Sequence, residues 1–319
     1  MSLQDLAQRL NTHPAIRSKT GIAEATLALG LNANSAGRPG DDAAPLPRAG
    51  GYDLLAGEGF IPAFVKDDPW FAGWCAMMVN LSDIAAMGGR SVGMVDHIWA
   101  PNADAAAPLL KGLRDASEAY GVPLVGGHTN LNAAELGLSA SVFGRANILI
   151  SSFDAAPDDI LIAAIDHRGA YRNFDNFCAA LEAPPERLRG DLEILPTLAE
   201  NGLTKAGKDI SQGGIVGTAL MLAECSGVGI DIDLAAITPP VGIPKERWLH
   251  SFPSFGYLLC VRPDDVAKVC AHFTDRDIHA APIGRITNGS ALTLIQGSET
   301  ALFWDHAFTP YLNLGGQNA

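Results

Sequence analysis

Basic charge is scarce in this sequence. Twenty-two Lys and Arg stand against 35 Asp and Glu, for a formal net charge of −13, and no block of positive residues occurs anywhere. Nucleic acid and anionic membrane surfaces need a basic footprint, so neither is expected as a partner. Nucleotides are not excluded, because metal ions and backbone amides can hold their phosphates. Cysteine is also sparse. The five residues (Cys75, Cys178, Cys225, Cys260, Cys270) are scattered and odd in number, with no C-x-x-C pair. They read as reduced core thiols rather than a disulfide frame or a zinc site. No apolar run approaches the ~20 residues that cross a bilayer. The amphipathic start, residues 1–10, lacks the basic region and apolar core of a signal peptide. The expectation is a soluble, cytoplasmic protein.

What is present suits two domains, since 319 residues are many for one core. The pattern breaks around Asn147–Asp158 with Ser151-Ser152 and Pro157-Asp158-Asp159, which places a boundary between domains 1–150 and 151–319. Residues 1–30 read as helices broken at His13-Pro14, and residues 31–51 as a loop. A strand over Tyr52–Ala56, a long helix from Pro69, a strand over Ser91–Trp99 and a helix over Asn102–Tyr120 follow. Then come strand Val122–Val125, a turn at Gly126–Thr129, and an alternating strand Leu136–Gly144. The second half reads as strand Ile160–Ile165, helices near Tyr171–Leu181 and Leu192–Asn201, helix Ile215–Cys225, and strands Gly229–Ile232 and Tyr257–Val261. Helix Asp264–Phe273 and paired strands Ile283–Ile286 and Ala291–Ile295 complete it. Strands and helices interleave, so the fold class is α/β (α+β).

Five stretches carry chemistry. The helix from Pro69 begins after Asp67-Asp68 and stops at Gly88-Gly89, the pattern of a proline-started, glycine-capped helix. Its surface is apolar almost all round, yet it carries Asn80 and Asp83 on one face. A buried carboxylate must be paired, hydrogen-bonded or bound to a cation; capping a neighbouring loop is the plain alternative. Gly40-Asp41-Asp42 sets two carboxylates on a loop, either solvated or supplying hard oxygens to Mg²⁺. Glu58, between glycines at a strand end, either faces solvent or approaches a ligand. Gly126-Gly127-His128-Thr129 is a tight turn or an anion cradle, in which His128 contacts phosphate or handles a proton. Asp209-x-Ser211-x-Gly-Gly precedes a helix. Its Asp209 and Ser211 either cap that helix or serve a metal and a phosphate at its N-terminus.

Taken in order, Gly-Asp-Asp-Ala-Ala, then Asn-Leu-Ser-Asp-Ile-Ala-Ala-Met-Gly-Gly, then Gly-Gly-His-Thr, then Asp-x-Ser-x-Gly-Gly resemble the AIR synthase (PurM-like) superfamily over nearly the whole chain. The resemblance implies a two-domain PurM-like architecture: an N-terminal domain with a mixed sheet, binding ATP and Mg²⁺ and forming a homodimer, and a C-terminal α/β domain. It implies Mg²⁺ ligands at Asp41, Asp42, Glu58, Asp83 and Asp209. Nucleotide contacts are implied at Asn80, Gly127, His128, Thr129 and Ser211, and catalytic roles at His128 and Asp209.

The departures from the pattern narrow the branch. Residues 1–40 have no Cys, which sets the chain apart from selenophosphate synthetase. The C-terminal Gly315-Gly316-Gln317-Asn318-Ala319 lacks the Cys of the hydrogenase maturation factors. Gln212 replaces a second acid in the Asp209 loop, and Phe255 with Tyr257 suggest a reshaped acceptor pocket. The resulting expectation is an ATP- and Mg²⁺-dependent enzyme that phosphorylates or activates a small-molecule substrate. The alternatives are thiamine-monophosphate kinase-like activity, or a nucleotide-binding regulatory homologue without turnover.

Overall fold

The computed structural model describes residues 2–32, 34–172 and 175–314, so the C-terminal pentapeptide read above for its lack of Cys lies outside the described residues. The chain divides into two compact units. One comprises residues 42–149 with 183–197; the other comprises residues 1–41, 150–182 and 198–319.

The first unit is built on a five-stranded sheet ordered Ala44–Arg48, Gly51–Gly59, Gly137–Ala146, Arg90–Trp99, Leu124–Asn130. Neighbours are antiparallel except for the last two, which run parallel. Parallel pairing needs a crossover, and the helix Ala103–Tyr120 between those strands supplies it. Along Gly137–Ala146, Leu138, Ala140, Val142 and Gly144 are buried, while Ser139, Ser141 and Phe143 are only half-buried. The strand Ala44–Arg48 replaces the loop expected there. Its Pro45 and Pro47 cannot donate to a ladder, so it sits at the sheet edge.

The helix Pro69–Ala86 covers the buried face, and nearly every residue in it is buried. Its ends follow the sequence signals. The Asp68 carboxylate accepts the Phe71 N–H at 3.2 Å, and Gly88 takes φ +71° while the Gly89 N–H donates to the Ile84 carbonyl at 2.9 Å. This helix and Ala103–Tyr120 cross with their backbones almost touching. A Cβ on Gly112 would stand 1.9 Å from the Trp70 carbonyl oxygen, and one on Gly73 would stand 2.2 Å from that of Leu109.

The second unit carries a seven-stranded sheet ordered Glu299–Asp305, Ala291–Gln296, Gly229–Asp233, His279–Thr287, Ile160–Ile165, Gly256–Val261, Ala206–Asp209. The strands expected to pair around 283–295 do not touch. Gly229–Asp233 lies between them, antiparallel to one and parallel to the other. The helix expected over Tyr171–Leu181 is also absent. Ala170–Tyr171 and Asn176–Cys178 are short strands that form a three-stranded sheet with Phe252–Pro253. Phe177 is fully buried with its ring edge-on to Tyr171 and Trp248, at 5.3 and 5.1 Å between centroids. Tertiary packing, not local spacing, sets the extended backbone there.

The N-terminal residues belong to this second unit because helix Leu3–Thr12 buries Leu3, Ala7 and Leu10 in its core. Asn11 Nδ2 also donates to the Phe303 carbonyl at 2.8 Å. The apolar helix Gly214–Ser226 is buried from Gly214 to Cys225 and packs into that core. None of the five cysteines forms a disulfide, and only Cys270 is even partly exposed. No described helix is long and apolar enough to cross a membrane.

Candidate functional site

Asp83 sits on the buried helix Pro69–Ala86 with 7% of its surface exposed. One of its carboxylate oxygens lies within 4.8 Å of one from Asp42, which precedes the edge strand Ala44–Arg48. Two like charges this close repel unless a cation lies between them or a proton is shared. An all-oxygen donor set of this kind fits Mg²⁺.

Further acids line the same side of the sheet. Glu58 lies opposite Ala140, Ala140 opposite Asp96, and Asp96 opposite Gly127, giving one cross-strand row. Ala140 is fully buried, which puts that row on the helix-covered face. At ~4.8 Å per strand, the Glu58 and Asp96 backbones are about 10 Å apart. A Cβ on Gly127 would stand 2.2 Å from Asp96 Oδ1, so only glycine allows this approach. Burial raises the pKa of Asp96, outweighing the hydrogen bond from its own backbone and the charge of His97. Sequence reasoning missed Asp96. The available signal was its parity with the buried Met94 and Ile98 on a half-buried strand.

Other expected residues are placed differently. Asn80 is fully buried, its Nδ2 donating to the Ala76 carbonyl at 2.8 Å while Oδ1 has no partner. Gly126–Thr129 does not turn; it continues the edge strand Leu124–Asn130. Glycine tolerates the extended positive-φ backbone there, so the strand runs on through the pair. Alternation then splits the motif. Thr129 pairs with the buried Ile98 and shares its face, whereas His128 pairs with His97 on the opposite face. The structure therefore sets His128 on the other side of the sheet from Glu58 and Asp96.

In the second unit, Asp209 ends strand Ala206–Asp209 and is 6% exposed. The Ser211 N–H donates to Thr218 Oγ1 at 3.3 Å, and Ser211 Oγ is buried without a partner. The helix that follows, Gly214–Ser226, has Gly213 at its N-cap and no side-chain cap there. Asp41 belongs to this unit, unlike Asp42. Its carboxylate accepts the Ser151 hydroxyl at 3.0 and 3.1 Å and the Ser152 N–H at 2.5 Å. Lys208, which no sequence signal singles out, is buried and donates from Nζ to the Gly40 carbonyl at 3.0 Å, fixing the loop that ends in Asp41. Phe255 and Tyr257 are both buried, edge to face at 4.9 Å.

Residues 40–146 match the N-terminal domain of the AIR synthase related proteins, and residues 165–296 match the C-terminal domain. The chain belongs to the AIR synthase related family. An uncharacterised protein of Synechocystis sp. is 46% identical over 283 residues, which cover 88% of each chain. The thiamine-monophosphate kinase of Methanopyrus kandleri is 26% identical over 278 residues, covering 80% of this chain and 85% of the kinase. The solved structure of T. maritima PurL complexed with ATP matches with a TM-score of 0.76 at 13% identity, over 97% of this chain and 53% of PurL. This AIR synthase related chain thus spans about half the length of that protein. Its fold is the two-domain PurM-like one.

Proposed function

We propose that this AIR synthase related protein is an ATP- and Mg²⁺-dependent enzyme that phosphorylates or activates a small metabolite. The observation that carries the proposal is the close pair Asp42–Asp83, one member buried on an apolar helix. Glu58 and Asp96 supply further oxygens on the same face, and Asp209 offers a buried carboxylate in the second unit. Bound Mg²⁺ supplies charge neutralisation on the phosphates. The chain's own part is to position them. Gly127 leaves its strand room beside Asp96, and Thr129 and Ser211 offer hydroxyl donors; His128, on the opposite sheet face, has no part at these acids. Asp41 acts through the loop that it anchors to Ser151 and Ser152, and Asn80 fixes the helix that carries Asp83.

A homodimer through the five-stranded sheet is part of the proposal. The sheet face opposite the helices carries Val125 and Leu55, 67% and 51% exposed, together with Leu46 and Trp99. A second copy would cover this apolar surface. The matched family domains support a division near residue 150, with the nucleotide and the dimer contact assigned to 1–150 and a second domain over 151–319. Among acceptors, thiamine monophosphate is the first to assay, because the M. kandleri kinase matches over most of its own length.

The test is thermal melting of the wild type and Asp83→Ala with ATP, a non-hydrolysable ATP analogue and ADP, each with and without Mg²⁺. A ligand at a hundred times its Kd stabilises by about 2.7 kcal/mol. The wild type is expected to shift only when nucleotide and Mg²⁺ are both present, and Asp83→Ala not to shift while melting normally on its own. No shift with any nucleotide, or equal shifts in both proteins, would overturn the proposal.

A further inference from the structure

The second unit holds another cluster of ligand-type side chains. His13 lies at the junction of helices Leu3–Thr12 and Pro14–Arg17, Asp175 just precedes strand Asn176–Cys178, and His250 follows helix Lys245–Leu249. One ring nitrogen from each histidine and one carboxylate oxygen of Asp175 all lie within 4.8 Å of one another. The two imidazoles stack, with centroids 4.0 Å apart and 22° between their planes. His250 Nδ1 is shut off from solvent and has no hydrogen-bond partner. A buried polar atom left in this state is a cost that a bound ligand would remove.

We propose that His13, Asp175 and His250 form a binding site for a divalent transition-metal ion, with zinc the closest chemical match. Two imidazoles and a carboxylate are the donor set of borderline ions, unlike the all-oxygen pair Asp42–Asp83. Bonds of about 2.0–2.2 Å set tetrahedral donor atoms roughly 3.5 Å apart, a spacing that side-chain rotation can reach from separations within 4.8 Å. Three protein ligands leave a fourth position for water or an oxygen-bearing small molecule.

The surroundings hold the cluster in place. The Arg247 guanidinium lies over the Tyr171 ring, 3.5 Å from its centroid, and donates to Asp175 Oδ1 at 3.1 Å. Glu246 takes the neighbouring Arg9 guanidinium at 2.7 and 2.9 Å, which offsets that positive charge. A Cβ on Gly214 would stand 2.3 Å from the His250 Cα, so the start of helix Gly214–Ser226 packs directly on the His250 backbone.

Metal binding leaves a local mark. His13 Nδ1 accepts the Ala15 N–H at 3.2 Å. A metal on Nδ1 displaces that bond directly. A metal on Nε2 moves the single ring proton to Nδ1, which can then no longer accept. Either way the Ala15 amide loses its acceptor.

The probe is Co²⁺, added to the full chain in excess Mg²⁺ so that the hard carboxylate site is blocked. The wild type is expected to take up one equivalent with visible bands of a four-coordinate, nitrogen-bearing site, reversed by Zn²⁺, and with a shifted Ala15 amide resonance. His250→Gln and the more exposed Asp175→Asn are expected to bind at least about tenfold more weakly, with metal-free melting unchanged for Asp175→Asn. Asp83→Ala should keep the bands. Absence of Mg²⁺-resistant Co²⁺ uptake, unchanged bands in both ligand variants, or loss of the bands in Asp83→Ala would overturn the site. Because the readout needs no nucleotide, its failure is distinct from failure of the ATP proposal.

Discussion

Glu224 accepts the backbone N–H of Tyr311 at 2.6 Å, a contact between residues 87 positions apart. The same carboxylate takes the N–H groups of Leu312 at 3.1 Å and Leu314 at 3.2 Å. Glu224 is 5% exposed, so these three donors are what make its burial tolerable. Glu224→Gln keeps the shape but turns one acceptor into a donor. We expect a loss of roughly 3 kcal/mol, measured by urea unfolding. An unchanged midpoint would show that residues 311–314 are held by packing alone.

Gly112→Ala sets two effects against each other. Helix propensity favours alanine by ~1 kcal/mol, but the new methyl meets the Trp70 carbonyl. Overpacking costs about 1–3 kcal/mol and more when backbone must move. The expected net result is a loss of about 2 kcal/mol in chemical denaturation. A stabilised variant would mean that the two helices separate easily.

Acid should weaken the fold through His167. Burial, with a smaller contribution from the stacked His279, lowers its pKa to about 4 against the opposing charge of Asp166. The unfolded chain therefore takes up a proton near pH 6.5, whereas the folded chain holds off until about pH 4. Between those values stability falls as pH falls, by up to about 1.4 kcal/mol per unit. Burial also lowers His279 and His250, steepening the slope. His167→Gln should flatten the curve of unfolding midpoint against pH from 7 down to 4.5; a slope equal to the wild type's would remove His167 as its source.

Asp96 predicts the opposite sign. Burial raises its folded pKa, so its contribution to stability is present below the unfolded carboxylate range and is lost as pH rises through the raised value. Asp96→Asn should accordingly melt higher than the wild type at neutral pH and not at about pH 3. With Mg²⁺ and ATP the order should reverse, because the amide is a poorer cation ligand. Equal melting at neutral pH would show that the Asp96 carboxylate is better solvated than its strand position implies.

How much the sequence revealed depended on how local the cause was. The helix Pro69–Ala86 was legible from end to end because Asp68, Pro69 and Gly88 act within a few residues of themselves. The strand Ala44–Arg48 was not, since Pro45 and Pro47 argue against a strand until the sheet edge is known. Gly126-Gly127 reads as a turn by composition, and only pairing with Arg90–Trp99 reveals it as a strand. Asp41, Asp42, Glu58, Asp83, Asp209 and His128 were singled out by motif order. Asp96 and Lys208 belong to no such motif and act through sheet register and burial. His13, Asp175 and His250 lie far apart in the chain, and no sequence pattern joins them.

The helix Leu3–Thr12 also has a kinetic consequence. Its apolar residues pack against strand Glu299–Asp305 near the other end of the chain, and the Tyr311 hydroxyl donates to the Ile16 carbonyl at 2.8 Å. During synthesis these early residues emerge long before their partners, and closing so long a loop is slow. Residues 42–149, by contrast, carry all five strands of their sheet in one run and can assemble while translation continues. The helix is therefore secured later than the residues that follow it in the chain. Limited proteolysis of stalled nascent chains should find residues 1–41 cleavable, and 42–149 protected, until the final strands have left the ribosome.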